Sequence, residues 1–252
     1  MLAPPEDRLL VALDVESLGE AETLMGRLAG VVTGCKIGTQ LFTGAGPAAV
    51  EAARKRGLRV FLDLKFHDIP NTVAGAVREA TRLGVFMLNV HASGGLAMMR
   101  AAAEAATKAA RDFAVPRPLC VGVTVLTSLD RAALEREAGV TASVPAHVLR
   151  LAERAREAGL DGCVASPQEI RMLRVALGER WVIVTPGIRT GPAESGSRLP
   201  HDTPGSRRDD QVRVATAAQA LAAGADYLVV GRPITAAPDP AAAAREILRE
   251  LQ

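Results

Sequence analysis

Eight times along the 252-residue chain a short, continuously apolar run gives way to a stretch with helical spacing. This alternation limits the fold more than any other feature. The apolar runs at 9–15, 35–38, 59–65, 86–91, 119–126, 162–165, 181–185 and 227–231 are expected as strands. The segments at 18–28, 47–56, 71–83, 96–111, 145–158, 168–177, 216–223 and 240–251 are expected as helices. Runs that are apolar throughout, rather than at every second residue, belong in a parallel sheet covered on its faces. Eight successive strand–helix units match an α/β fold of the (β/α)8 TIM-barrel class, here a single domain over residues 1–252. A doubly wound open sheet is the alternative, but it usually has fewer strands, and no glycine fingerprint follows the first strand here. One connection stands out. Residues 190–210, rich in Pro, Gly and Ser, are expected as a long loop after strand seven, read as a lid over the barrel mouth, with an insertion of no role as the alternative. Arg198, Arg207 and Arg208 within it are read as solvated lid charges.

In a barrel, reactive groups sit at the C-terminal ends of the strands. Those ends carry Asp14 on strand one, Lys36 on strand two, and Asp63 with Lys65 on strand three. Residues two apart on a strand share a face, so Asp63 and Lys65 should project together, with Asp68 just beyond the strand. Of 30 basic residues only Lys36, Lys55, Lys65 and Lys108 are lysines. A chain that otherwise writes arginine has kept lysine beside two aspartates. Lysine carries a compact, transferable proton, which arginine does not, so the pattern points to proton chemistry. A row of two acids and two lysines of alternating sign is also how buried charge becomes tolerable, and a salt-bridged rim is the structural alternative.

The opposite side of the mouth reads as a phosphate site. Barrels often bind phosphate with the loops after strands seven and eight. Here these carry Thr185-Pro186-Gly187-Ile188-Arg189 and Val230-Gly231-Arg232-Pro233. Glycine admits close backbone approach, and arginine adds a charged fork. His91, at the end of strand four, is read as a structural histidine. Thr127 and Ser128 follow strand five and offer hydroxyls.

Several functions are disfavoured by composition. A formal charge of +2 and 3% aromatic residues give little basis for nucleic-acid binding. Cys35, Cys120 and Cys163 are far apart in apolar runs, as expected of buried thiols in a reducing compartment. No apolar run is long enough to cross a membrane, and the first eight residues lack the pattern of a signal peptide. A cytoplasmic protein is expected. A metal is not expected, since strand two offers Lys36 where a histidine or carboxylate ligand would be needed.

The segment Asp63-Leu64-Lys65-Phe66-His67-Asp68-Ile69-Pro70-Asn71-Thr72 resembles the signature of the orotidine 5′-monophosphate decarboxylase family. The resemblance runs in family order over nearly the whole chain. It includes Leu10-Val11-Ala12-Leu13-Asp14, Lys36-Ile37-Gly38, Asn89-Val90-His91-Ala92, Leu126-Thr127-Ser128, Thr185-Pro186-Gly187-Ile188-Arg189, Asp210-Gln211-Val212-Arg213 and Gly231-Arg232-Pro233. It implies removal of CO2 from orotidine monophosphate to give uridine monophosphate, the last step of pyrimidine nucleotide synthesis, with no metal or organic cofactor. Lys65 would protonate C6, Asp63 would lie near the departing carboxylate, and Lys36 would complete the network. Asp14 and Lys36 would touch ribose hydroxyls and Thr127 would face the pyrimidine. Arg189, Gln211, Gly231 and Arg232 would hold the phosphate. Asp68 and Thr72 would reach the neighbouring subunit's site, which implies a homodimer with shared sites. The Asp-x-Lys-x-x-Asp core also occurs in magnesium-dependent sugar-phosphate barrels. Those relatives, and a catalytically silent nucleotide-binding barrel, are the competing readings.

Overall fold

The computed structural model describes residues 4–189 and 214–251. Eight parallel strands close into a barrel: β1 (Leu9–Ala12), β2 (Gly34–Gly38), β3 (Arg59–Phe66), β4 (Met87–His91), β5 (Leu119–Val123), β6 (Gly162–Val164), β7 (Val182–Thr185) and β8 (Tyr227–Val230). Each strand pairs with the next in sequence. The ring shuts where β8 meets β1 through Leu9↔Leu228, Leu10↔Val229 and Val11↔Val230. The expected barrel is therefore present, with strand ends shifted by up to three residues from the apolar runs; most are shorter, while β2 and β3 are each one residue longer.

The strands are apolar on both faces because each face has its own core. Leu10, Ala12, Phe61, Met87, Val121, Val184 and Val229 fill the barrel interior. Their neighbours Leu9, Val11, Cys35, Ile37, Val60, Leu62, Leu88 and Val90 pack outward against the helices. Fully burying one such aliphatic side chain contributes roughly 1.5–3 kcal/mol. Cys35, Cys120 and Cys163 are free and buried, and burial pushes their thiols up to about 12.

The outer helices follow from the same sequence logic. Helix Leu96–Asp112 is alanine-rich, and its Ala102, Ala103, Ala106, Ala109 and Ala110 are buried. Alanine has the highest helix propensity and its small side chain permits close approach. Helix starts are capped where the chain supplies an oxygen. Ser17, Asp130, Ser143 and Asp239 each accept a first-turn N–H, and Thr216 with Gln219 forms a capping box. Helices Pro5–Arg8, Thr39–Ala45, Arg131–Ala138 and Arg232–Thr235 go beyond the eight that were expected.

At the N-terminal end of the barrel two aspartates cross-link neighbouring strands. Asp226 Oδ2 accepts the Ile183 N–H at 2.7 Å and Arg174 Nη2 at 2.8 Å. Asp161 Oδ2 accepts the Cys120 N–H at 2.8 Å, while its carboxylate takes Arg117 Nη1 at 2.8 and 2.9 Å. Each aspartate thus tethers its own strand to the one before. Among the described residues, no helix is long and apolar enough to cross a membrane.

Candidate active site

At the C-terminal end a cavity of about 550 Å³ opens among the strand ends, and its lining includes Asp14, Lys36, Asp63, Lys65, Arg189 and Arg232. Alternation on the strands explains how these side chains arrive. Residues 10 and 12 share the inner face of β1, with 14 two residues past its end, as 34, 36 and 38 share that of β2 and 61 and 63 that of β3. The lower positions fill the barrel and the upper ones, Asp14, Lys36 and Asp63, reach its mouth.

The four charges form a continuous row. Lys36 Nζ lies 2.8 Å from Asp14 Oδ1 and 3.3 Å from Asp63 Oδ2, and Lys65 Nζ lies 2.7 Å from Asp63 Oδ1. Burial works against charge on both central groups and is overcome. It pushes the Asp63 carboxyl up, but the Lys36 and Lys65 ammoniums, with hydrogen bonds from Lys65 and Asn89, hold it below the usual carboxylate value. Burial pulls Lys36 down, but Asp63 and then Asp14 hold it above the usual lysine value. Gly38 leaves room for this row: a Cβ there would come within 2.9 Å of both Asp14 Oδ1 and Lys36 Nζ.

Asp63 and Lys65 do meet, though not along a regular strand. From Leu62 to Phe66, β3 advances four residues while β4 advances two, from Leu88 to Val90. Lys65 takes a left-handed backbone with φ of 51°. For a residue other than glycine this costs on the order of 1–3 kcal/mol and persists only when the surroundings impose it. Asn89 on β4 spans this turn. Its Oδ1 accepts the Lys65 backbone N–H at 2.8 Å and its Nδ2 donates to Asp63 Oδ1 at 2.7 Å. Asn89 is not among the residues expected at the site from sequence. Strand parity contains the signal, because Met87, Asn89 and His91 share the inner face of β4, and an amide buried there requires partners.

The other wall carries the arginines. Gly187 has φ of 81°, which turns the chain out of β7. Ile188–Arg189 then pairs in parallel with Ala215–Thr216. Burial, and then the Arg232 guanidinium, hold Arg189 below the usual guanidinium value. Two nearby guanidiniums create a positive potential suited to an anion. Gly231 is the N-cap of the short helix Arg232–Thr235. Thr127 and Ser128 line the cavity between these walls. Gln211 and the loop 190–210, with Arg198, Arg207 and Arg208, lie outside the described residues.

Asp68 and Thr72 are exposed and are not among the residues lining this cavity. Asp68 Oδ1 accepts the Ile69 N–H at 2.6 Å, and the neighbouring Ile69 is 67% exposed. Behind them the His67 and His91 rings lie 5.2 Å apart, beside a second, larger cavity of about 620 Å³ reaching toward helix Val144–Glu157. Burial, then His67 and Lys65, hold His91 below the usual imidazole value. Among the described residues no three His, Cys, Asp or Glu side chains are grouped to share a metal ion.

The fold and the site together define a (β/α)8 barrel whose mouth brings an alternating Asp–Lys row and two arginines into one cavity. The chain belongs to the orotidine 5′-phosphate decarboxylase / HUMPS family, whose model matches residues 7–247. It is 56% identical over 247 residues to the orotidine 5′-phosphate decarboxylase of Moorella thermoacetica, covering 98% of this chain and 93% of that protein. It is 51% identical to the orotidine 5′-phosphate decarboxylase of Syntrophotalea carbinolica, covering 100% of this chain and 97% of that one. The crystal structure of orotidine 5′-phosphate decarboxylase from Lactobacillus acidophilus superposes with a TM-score of 0.81 at 32% identity, over 98% of this chain and 100% of that chain.

Proposed function

We propose that the chain decarboxylates orotidine 5′-monophosphate to uridine 5′-monophosphate and CO2, as a carboxy-lyase closing pyrimidine nucleotide synthesis. The observation that carries this is the Lys65 ammonium, held 2.7 Å from Asp63 in the same cavity as Arg189 and Arg232. Loss of CO2 from the pyrimidine leaves an electron pair at C6 that the ring cannot delocalise well. Fixed positive charge must stabilise it. Lys65 supplies that charge and then its proton, so that C6 ends with hydrogen and lysine ends neutral. Asp63 lies near the departing carboxylate, and Lys36 keeps the row balanced. Asp14 and Lys36 bind ribose hydroxyls, Thr127 faces the pyrimidine, and Arg189, Gly231 and Arg232 grip the phosphate. Phosphate binding far from C6 contributes energy that organises the reacting end. Gln211 is proposed with the phosphate group on sequence alone.

The acting unit is a homodimer in which Asp68 and Thr72 complete the partner's site. Their absence from the lining of this chain's own cavity, and the exposure of Ile69 beside them, support that reading. Buried free thiols suit a reducing cytoplasm.

The family description also spans HUMPS members, so a sugar-phosphate reaction is the rival reading. A spectrophotometric assay on orotidine monophosphate with EDTA present separates the two. Loss of substrate absorbance at an undiminished rate is expected. Collapse of the rate with EDTA favours the magnesium-dependent rival, and tight uridine monophosphate binding with no turnover favours a silent sensor.

A further inference from the structure

Asn89 is only 1% exposed, yet both ends of its amide are used within the charged row. A carboxylate only accepts hydrogen bonds and a backbone N–H only donates, so Nδ2 must face Asp63 and Oδ1 must face Lys65. The amide therefore has one orientation. It acts at the register break, where the β3–β4 ladder slips and the Lys65 N–H lacks its regular strand partner. One side chain thus holds both the backbone that carries Lys65 and the carboxylate that holds the Lys65 ammonium. We propose that Asn89 is a positioning residue of the reaction, fixing the left-handed turn at Lys65 and the Asp63 carboxylate together and so aiming the lysine proton. This rests on the decarboxylase reading above.

No other side chain of similar size does both tasks. Leucine would leave the Lys65 N–H and one Asp63 oxygen without this partner, and aspartate would set two carboxylates face to face. With alanine, the turn loses its acceptor and Asp63 Oδ1 keeps only the Lys65 ammonium. A reacting group displaced by about 1 Å loses on the order of 10²-fold in rate. The arginines and the Asp14–Lys36 pair stand on other strands, so ground-state binding should survive.

Wild type, Asn89→Ala and Asn89→Asp are assayed on orotidine monophosphate, with uridine monophosphate affinity and circular dichroism measured alongside. For folded Asn89→Ala we expect kcat to fall roughly 10²-fold, with KM and product affinity within about threefold. Asn89→Asp supplies a readout that a merely structural role would not move. At low pH the introduced carboxyl is protonated and donates to Asp63. As pH rises it ionises among Asp63 and Lys65 of β3, Lys36 of β2 and His91 of β4, and repels Asp63. The ratio of variant to wild-type kcat should therefore fall with pH. This role is overturned by an active wild type whose folded Asn89→Ala keeps kcat within about threefold, or by a flat ratio across pH in Asn89→Asp. A wild type that leaves orotidine monophosphate intact overturns the decarboxylase reading, and this role with it.

Discussion

Asp63 Oδ1 lies 2.7 Å from Lys65 Nζ across a break in the strand that carries both. Were the strand regular, the pair would be a neighbouring i, i+2 contact. Here it is held in a conformation that lysine rarely adopts.

Lys65→Ala should therefore fold and fail. Asp63 keeps Lys36 at 3.3 Å and Asn89 at 2.7 Å, so its charge is not stranded. Removing both the proton donor and the nearest fixed cation is expected to lower kcat by roughly 10⁴-fold or more. Activity near that of the parent would sink the mechanism.

Lys36→Met should shift acid sensitivity. Asp63 is held below its usual value, so the stability it contributes is present above that value and is lost as pH falls through its folded value. Lys36 is the first of the charges opposing burial there, and without it the folded value rises. Loss of structure on acidification, followed by circular dichroism, should begin at a higher pH than in the parent. An unchanged acid midpoint would contradict the coupling. For Lys36 itself the sign reverses: its contribution is present below the usual lysine value and is lost as pH climbs through its raised folded one.

Arg232→Ala should act through the phosphate. Activity on orotidine monophosphate is expected to fall by about 2–3 kcal/mol of binding, the worth of a charge-assisted contact, while a nucleoside lacking the phosphate is turned over as by the parent. Equal losses on both substrates would refute the assignment.

Mixed subunits test the shared site. Asp68→Ala and Lys65→Ala proteins, each inactive alone, should regain activity on mixing, since a hybrid dimer contains one intact site. No recovery despite subunit exchange, shown by mass spectrometry, would remove Asp68 from the partner's site.

Asp226→Ala should damage stability and spare chemistry. It strips an acceptor from the Ile183 N–H and from Arg174, whose side chain is 10% exposed. Arg174 keeps the Gly178, Trp181 and Gly224 carbonyls, so the loss is about 1.5–3 kcal/mol, that of a charged hydrogen bond, or roughly 5 °C in Tm for a chain of this size. The folded variant should keep kcat within about twofold. A large fall in kcat at unchanged Tm would mean that the two ends of the barrel are not separable.

The barrel and most of its mouth were legible because they depend on local pattern. Eight apolar runs located the strands, and the C-terminal ends of three neighbouring strands brought Asp14, Lys36 and Asp63 to one rim. Helices Thr39–Ala45 and Arg131–Ala138 were missed because each buries a single residue, Leu41 or Leu134, and so leaves little apolar periodicity. The pairing of Asp63 with Lys65 was foreseen on the assumption of a regular strand. The slip at Leu62–Phe66 escaped notice because it is bound to Asn89, on another strand 24 positions beyond Lys65. Strand parity turns Asn89 inward, but the spacing of neither segment names its partner on the other strand.

Trp181 is the chain's one tryptophan. It lies where β7 begins, is 5% exposed, and donates Nε1–H to Cys163 Sγ at 3.3 Å. A thiol against an indole quenches its fluorescence, and this pair sits at the N-terminal end of the barrel, away from the mouth. Its emission should brighten and shift to the red when the strands part, yet stay unchanged as nucleotide comes and goes. The molecule thus contains its own optical gauge of integrity, which separates a variant that cannot react from one that cannot stay folded.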